Sequence, residues 1–182
     1  MSHNPWKTNS SRIVYENRWI RVREDGVTRP DGSPGIYGVI EIRPSVGVVA
    51  LNDQDEIALV GQWRYPHNRY SLEVPRGGSH PGESDLLAVA QRELAEEAGV
   101  TAQHWKYLGA VDCCNGVVDD VESFYLATAL TLTERRPDPE EEIAVCWKPF
   151  AEAVSMALDG RITDVSSIAA VLMVAQLRQS GA

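Results

Sequence analysis

The chain reads as an α/β sandwich, a mixed sheet with helices on both sides, carrying a small N-terminal antiparallel β extension. Three observations predict it. Short β-branched and aromatic runs separated by turn residues fill the first half of the chain. A carboxylate-dense segment of helical periodicity, within Pro75–Val100, interrupts them. Two further helical segments close the chain behind an acidic loop. With 182 residues, 43% hydrophobic and 24% charged, the chain is long enough to bury a real core.

The elements follow in order. Residues 1–10 read as a flexible terminus. Ile13–Tyr15, Trp19–Arg23, Gly26–Arg29 and Ile36–Ile42 are strand-like, and Arg29–Gly35 is a Pro/Gly/Asp turn. This gives a meander of about three strands, marginal alone and in need of a packing partner; a partner subunit is a candidate. Ser45–Ala50 and Ile57–Gly61 are apolar strands of a second, buried sheet, with Asn52–Asp55 as the hairpin turn between them. Gln62–Pro66 and Tyr70–Val74 lead into the glycine turn. After the carboxylate helix come strands at Trp105–Val111 and Ser123–Ala129, flanking a loop at Cys113–Asp120. The acidic loop 137–142 precedes a strand at Ile143–Trp147. Phe150–Leu158 is a helix stopped by Gly160, and a last helix runs Asp164–Arg178, capped by Thr163 or Asp164. Its Ile168, Val171, Leu172, Val174 and Leu177 form a core stripe.

Composition excludes several classes. The sequence has no run of about 18 apolar residues, so no membrane span is expected. The N-terminus, MSHNPWKTNSSR, lacks the apolar segment of a secretory signal. Three cysteines, two of them adjacent, do not suit a disulfide framework and point to a reducing, cytoplasmic setting. A net charge of −9 argues against nucleic acid as a bulk ligand. A small anion can still bind where arginines and a metal are concentrated.

Such a place is Pro75–Val100, PRGGSHPGESDLLAVAQRELAEEAGV. On a helix advancing about 100° per residue, Glu93 and Glu97 are neighbours one turn apart with Glu96 beside them. Leu87, Ala90, Leu94 and Ala98 form an apolar stripe on the other side. Three carboxylates this close repel one another unless a cation joins them, and oxygen ligands suit Mg²⁺ or Mn²⁺. A solvated charged face is the alternative for the helix taken alone.

The upstream turn favours the metal. The segment resembles the box of the Nudix family, G-x5-E-x7-R-E-U-x-E-E-x-G-U, through Gly77, Glu83, Arg92, Glu93, Leu94, Glu96, Glu97, Gly99 and Val100. Ser84–Gln91 place eight residues between Glu83 and Arg92, where the family has seven. The stretches WIRVREDGVTRPDGSPGIYGVIE, QWRYP, LEVPRGG and residues 162–170 resemble the branch that hydrolyses ADP-ribose and other nucleoside diphosphate sugars. The implied domains are an extension at 1–43, for dimerisation and base binding, and a Nudix hydrolase domain at 44–182.

The resemblance implies a set of roles. Glu93 and Glu97 ligate the metal with Glu96 as a shared or additional ligand, and a backbone carbonyl at Arg76 or Gly77 completes the set; more than one ion per site is expected. Glu97 thereby counts as catalytic. The general base is a glutamate of the acidic loop, Glu140 or Glu141, with Glu142 a third candidate. Arg64, Arg76 and Arg43 are diphosphate contacts, the side chain of Arg76 being otherwise an outward surface arginine. Glu73 is a metal-linked carboxylate or simply solvent-facing. Trp19 and Tyr37 stack the base, and Asn115 and Asp119 bond sugar hydroxyls. His67 and His80 lack ligand spacing and read as surface residues. The expected protein is a homodimeric hydrolase of a small-molecule nucleotide sugar. Other readings are a Nudix enzyme acting on dinucleoside polyphosphates or nucleoside triphosphates, which does not need the extension, and a silent nucleotide-sugar sensor, which does not need three metal-binding carboxylates.

Overall fold

The first strand, β1, spans Lys7–Glu16 and pairs antiparallel with β2, Ile20–Thr28, which pairs antiparallel with β3, Pro34–Ile42. The structure, a computed structural model, describes residues 3–136, 138, 140 and 142–181. Residues 7–10, expected as part of a flexible terminus, are strand, because Lys7 and Thr8 lie opposite Thr28 and Val27 and continue the ladder. The runs Trp19–Arg23 and Gly26–Arg29 merge into the one strand β2, since Asp25 and Gly26 hold register with Tyr37 and Ile36. The turn into β3 is closed by Asp31, whose Oδ1 accepts from Ser33 N at 2.9 Å.

β4 (Ser45–Ala50) and β5 (Glu56–Arg64) follow, then a 3-10 turn at Tyr65–His67, β6 (Arg69–Glu73) and β7 (Arg76–Gly78). Helix α1 covers Leu86–Glu93 and continues through a π-helical turn at Leu94–Ala98. Next come β8 (Val100–Val111), the short β9 (Val118–Asp119) inside the predicted loop, β10 (Glu122–Leu132) and β11 (Ala144–Pro149). Helices α2 (Phe150–Asp159) and α3 (Val165–Gln179) end the chain. Among the described residues no helix is long and apolar enough to cross a membrane.

The chain divides into two compact units. The first, Met1–Arg43 with Asp112–Val121, holds the sheet β1-β2-β3-β9, in which β9 runs parallel to β3 at Ile40 and Glu41. The second, Pro44–Val111 with Glu122–Ala182, holds the sheets β7-β4-β10-β8 and β11-β5-β6. The first of these two is mixed: β4 is parallel to β10, while β7 and β8 are antiparallel to their neighbours.

β4 and β5 do not share one sheet, contrary to expectation. The turn between them forms, with Asn52 Oδ1 accepting from the amides of Gln54 and Glu56, but both edges of β4 are taken by β7 and β10. β5 is joined to that strand's end only through the single bridge Leu51–Ile57 and pairs instead with β11 and β6.

β4 is buried on both faces, which its continuous apolar run allows. Val46, Val48 and Ala50 pack with Val89, Ala90, Leu94 and Ala98 of the α1 segment. Val49 and Leu51 pack with Phe124 and with Phe150, Met156, Val171 and Val174 of α2 and α3. Helices thus cover both sides of the strand layers, the predicted α/β sandwich. On α3 the buried face is Ser166, Ser167, Ala170, Val171 and Val174; Leu172 and Leu177, expected in the core, are only half-buried. Val171 and Val174 are buried as expected, and Ser166 and Ser167 join that face by hydrogen-bonding to Glu122 and Asp164.

Candidate active site

The short strand β7 and the helix that follows it bring main chain against carboxylates. Asp85 caps α1, its Oδ1 accepting from Leu87 N at 3.0 Å and Ala88 N at 3.2 Å. Val89, Ala90, Leu94 and Ala98 anchor the helix in the core, while Leu87 is half-buried. On the opposite face Glu93 and Glu97 are buried, only 8% and 3% exposed, while the Glu96 side chain is 40% exposed. Gly77 makes this possible, since a Cβ there would lie 2.3 Å from the Glu93 carboxyl carbon. Glu97 Oε2 accepts from the Arg76 amide at 2.8 Å. The final turn winds wider than the expected α-helix and is ended by Gly99, left-handed at φ 68°.

Arg92 gathers this face. Its Nη1 donates to Glu93 Oε1 at 2.8 Å and Glu96 Oε2 at 3.1 Å; its Nη2 donates to the Gly78 carbonyl at 3.1 Å and Glu83 Oε2 at 3.3 Å. Burial by itself would lower the Arg92 pKa, but the Glu93 charge and the hydrogen bonds to Glu96 and Glu93 raise it, so the side chain stays cationic. Glu83 also accepts from the His80 amide at 2.6 Å. Glu83 lies ahead of the helix that Asp85 caps and reaches Arg92 across the eight intervening residues.

A second charged cluster adjoins β7 through Arg76. Arg64 grips both oxygens of Glu73, with Nε on Oε1 at 2.8 Å. Glu73 points inward, 2% exposed, not to solvent. Burial would raise its pKa, but the hydrogen bond and charge of Arg64, with Ser71 and Arg76, hold it below the usual carboxylate range. The Arg76 guanidinium also turns inward, with Nη1 at 2.8 Å from Asp164 Oδ1 and Nη2 at 2.9 Å from Glu122 Oε2; the outward reading of this side chain does not hold. Burial would lower its pKa, and the charges of Glu122, Asp164 and Glu73 outweigh that and raise it. Ser166 Oγ donates to Glu122 Oε2 at 2.5 Å. Ser167 Oγ donates to Asp164 Oδ2 at 2.7 Å and accepts from Val74 N at 3.0 Å.

A cavity of about 340 Å³ opens beside this cluster, lined by Arg64, His67, Arg69, Glu73, Thr163 and Asp164 among others. Sequence reasoning named only Arg64 and Glu73 of these for the site. His67 is exposed at the cavity, as expected of a surface residue; Asp164, a candidate cap in the sequence, is the cap of α3 as well as the partner of Arg76. The signal for Glu122, Asp164, Ser166 and Ser167 was weak. The stretch 162–170 carries a family resemblance, but no spacing along the chain links it to Arg76.

The remaining candidates lie in the first unit, apart from the loop glutamates. Trp19 is 61% exposed, with the Arg18 guanidinium 4.0 Å over its ring. Tyr37 OH donates to the Gly116 carbonyl at 2.7 Å, and its ring meets Trp6 edge-on at 5.4 Å. Arg43 Nη2 donates to the Arg18 carbonyl at 2.7 Å. Asn115 is exposed, and Asp119 lies opposite Glu41 in β9. Glu140 is exposed in the second unit, its amide bonded to Asp138 Oδ1 at 2.9 Å. Glu142 is exposed, and Glu141 lies outside the described residues.

The residues fit a hard divalent cation by chemistry. Glu93, Glu96 and Glu97 offer only carboxylate oxygen, and Gly77 lets main chain lie against Glu93 where any Cβ would collide. Among the described residues no three acidic, imidazole or thiol side chains converge as a formed metal site; Glu93 and Glu96 face Arg92, and Glu97 faces the Arg76 amide.

Comparisons with known proteins agree with this architecture. The NUDIX domain model matches residues 41–171, and the model described as a nucleoside diphosphate sugar hydrolase N-terminal domain matches residues 6–40. An ADP-ribose pyrophosphatase of Mycobacterium tuberculosis (strain ATCC 25618 / H37Rv) is 32% identical over 176 residues, 96% of this chain and 85% of the relative. A methanol dehydrogenase activator of Bacillus methanolicus is 26% identical over 91% of this chain and 90% of its own. An ADP-ribose pyrophosphatase of Bacillus subtilis (strain 168) is 27% identical, over 88% of this chain and 83% of its own. A solved structure described as an ADP compounds hydrolase shares the fold, with TM-score 0.87 at 20% identity over 100% of this chain and 98% of the other. The chain is therefore a Nudix hydrolase, of the branch in which a nucleoside diphosphate sugar hydrolase N-terminal domain precedes the Nudix domain.

Proposed function

We propose that the chain hydrolyses the diphosphate bond of a nucleoside diphosphate sugar, such as ADP-ribose or ADP-glucose, to a nucleoside monophosphate and a sugar phosphate, with Mg²⁺ or Mn²⁺ as cofactor. The observation that carries this reading is the burial of Glu93 and Glu97 against the main chain at Arg76–Gly77. The match of residues 6–40 and the names of two relatives favour a nucleotide sugar as the substrate.

In this reading Glu93, Glu96, Glu97 and a carbonyl at Arg76 or Gly77 hold the divalent ions, more than one per site. Such ions supply charge neutralisation on the diphosphate and acidify water. The chain's own residues do the rest. Arg92 keeps Glu93 and Glu96 together. Arg64, fixed by Glu73 and 34% exposed, meets the diphosphate, with Arg43 a further contact. Glu140 or Glu141 takes the proton of the attacking water. Trp19 and Tyr37 stack the base, and Asn115 and Asp119 bond the sugar. The strands of residues 1–43 form a dimerisation and base-binding extension to the hydrolase domain at 44–182.

The test is phosphate release, in a coupled assay, over a panel of nucleotide sugars, dinucleoside polyphosphates and nucleoside triphosphates, with and without Mg²⁺ or Mn²⁺. Metal-dependent turnover highest on a nucleotide sugar is expected. Absence of metal-dependent turnover on every diphosphate overturns the reading.

A further inference from the structure

Arg76 is held at both ends. Its backbone amide donates to Glu97 Oε2 at 2.8 Å. Its guanidinium lies 2.9 Å from Glu122 Oε2, 2.8 Å from Asp164 Oδ1 and 3.9 Å from Glu73 Oε2. These acceptors come from β10, the cap of α3 and β6, and each is itself fixed. Glu122 is bonded by Ser166, Asp164 by Ser167, and Glu73 by Arg64. A planar guanidinium between such partners is pinned in direction as well as position.

The strand it belongs to is held at its two ends by backbone bonds from Val48 to Pro75 and from Ser79 to Pro44, and by Arg92 on the Gly78 carbonyl. The Arg76 guanidinium is the side chain that ties it to β10 and α3. β7 is three residues long and pairs only with β4, and Gly77 and Gly78 contribute no side chain. Two arginines, Arg64 and Arg76, here face three carboxylates, Glu73, Glu122 and Asp164. A phosphate brought to the Arg76 guanidinium would compete with those carboxylates and be repelled by them.

We propose that Arg76 is a positioning residue: by tying β7 to Glu122 and Asp164, its side chain fixes the backbone that orients Glu97 and so sets the affinity for the divalent ion. The inference rests on the metal-dependent reading above.

The test compares the wild type with Arg76→Lys, which keeps the charge and loses the fork, and Glu122→Gln, which keeps the shape and loses a charged acceptor. Mn²⁺ binding to the substrate-free protein is measured by electron paramagnetic resonance, beside metal and substrate titrations of turnover. In both variants the Mn²⁺ affinity falls about tenfold, as when the groups that orient a metal's ligands are altered, while the substrate KM at saturating Mn²⁺ stays at the wild-type value. Unchanged Mn²⁺ affinity overturns the inference, whether KM rises, as for a diphosphate contact, or not, as for a purely structural role. If Arg76→Lys does not fold, Glu122→Gln decides, since the amide oxygen still accepts from Ser166. Wild-type protein that neither binds Mn²⁺ nor turns over a nucleotide sugar defeats the functional reading itself, a separate outcome.

Discussion

Arg64 and Glu73 form a two-point ion pair across the β5–β6 hairpin, Nε on Oε1 at 2.8 Å with Nη2 on the other oxygen. The carboxylate is buried and the arginine is 34% exposed. Removing the carboxylate leaves Arg64 and Arg76 short of a partner. Glu73→Ala is expected to cost about 2–3 kcal/mol, less than for a fully buried pair because water reaches Arg64. Urea denaturation of the two proteins checks it.

The same pair sets an acid limit. Glu73 titrates below the ordinary range in the folded chain, burial being outweighed by Arg64. Its contribution is fully present above the unfolded carboxyl pKa of about 4.3 and is lost as pH falls through the lower folded value. The wild type should therefore lose stability steeply below about pH 4, and Glu73→Gln should show a shallower acid slope. Urea midpoints taken across the acid range decide the matter.

Gly77 is where main chain meets Glu93. A Cβ there would lie 2.3 Å from the carboxyl carbon, so Gly77→Ala must displace Glu93 or β7. Turnover should fall by at least about tenfold, the cost of disturbing a metal's surroundings. Gly78, with nothing within 4 Å of its Cβ position, is the control: Gly78→Ala should keep more activity. Equal losses in the two would count against the crowding argument.

The acidic loop supplies the base in the proposed mechanism. Replacing the base, Glu140 or Glu141, by Gln is expected to lower kcat by about 10²–10⁴ without loss of fold, the usual contribution of a general base. Parallel variants at Glu140, Glu141 and Glu142 identify the residue. Three variants with wild-type turnover would remove the base from this loop.

Much of this was readable in one dimension. The apolar run Ser45–Ala50 is a strand at those bounds, and the Phe150–Asp159 helix differs from expectation by one residue. The charged motif at Arg92–Glu97 was legible because its parts are neighbours on one helix. The separation of β4 from β5 was not, since the turn between them is as expected and the choice of sheet depends on β7 and β10 occupying both edges of β4.

The sequence alone determined the α/β class, the carboxylate helix and the kinship of its motifs, because each is written in local periodicity and spacing. Tertiary structure decided what those groups face. It turned Glu93 and Glu97 inward against a glycine backbone and pointed Arg76 into a buried cluster. It also drew on Glu122 and Asp164, which lie 46 and 88 residues further along the chain. Such pairings arise when sheets and helices pack, and no periodicity along the chain records them.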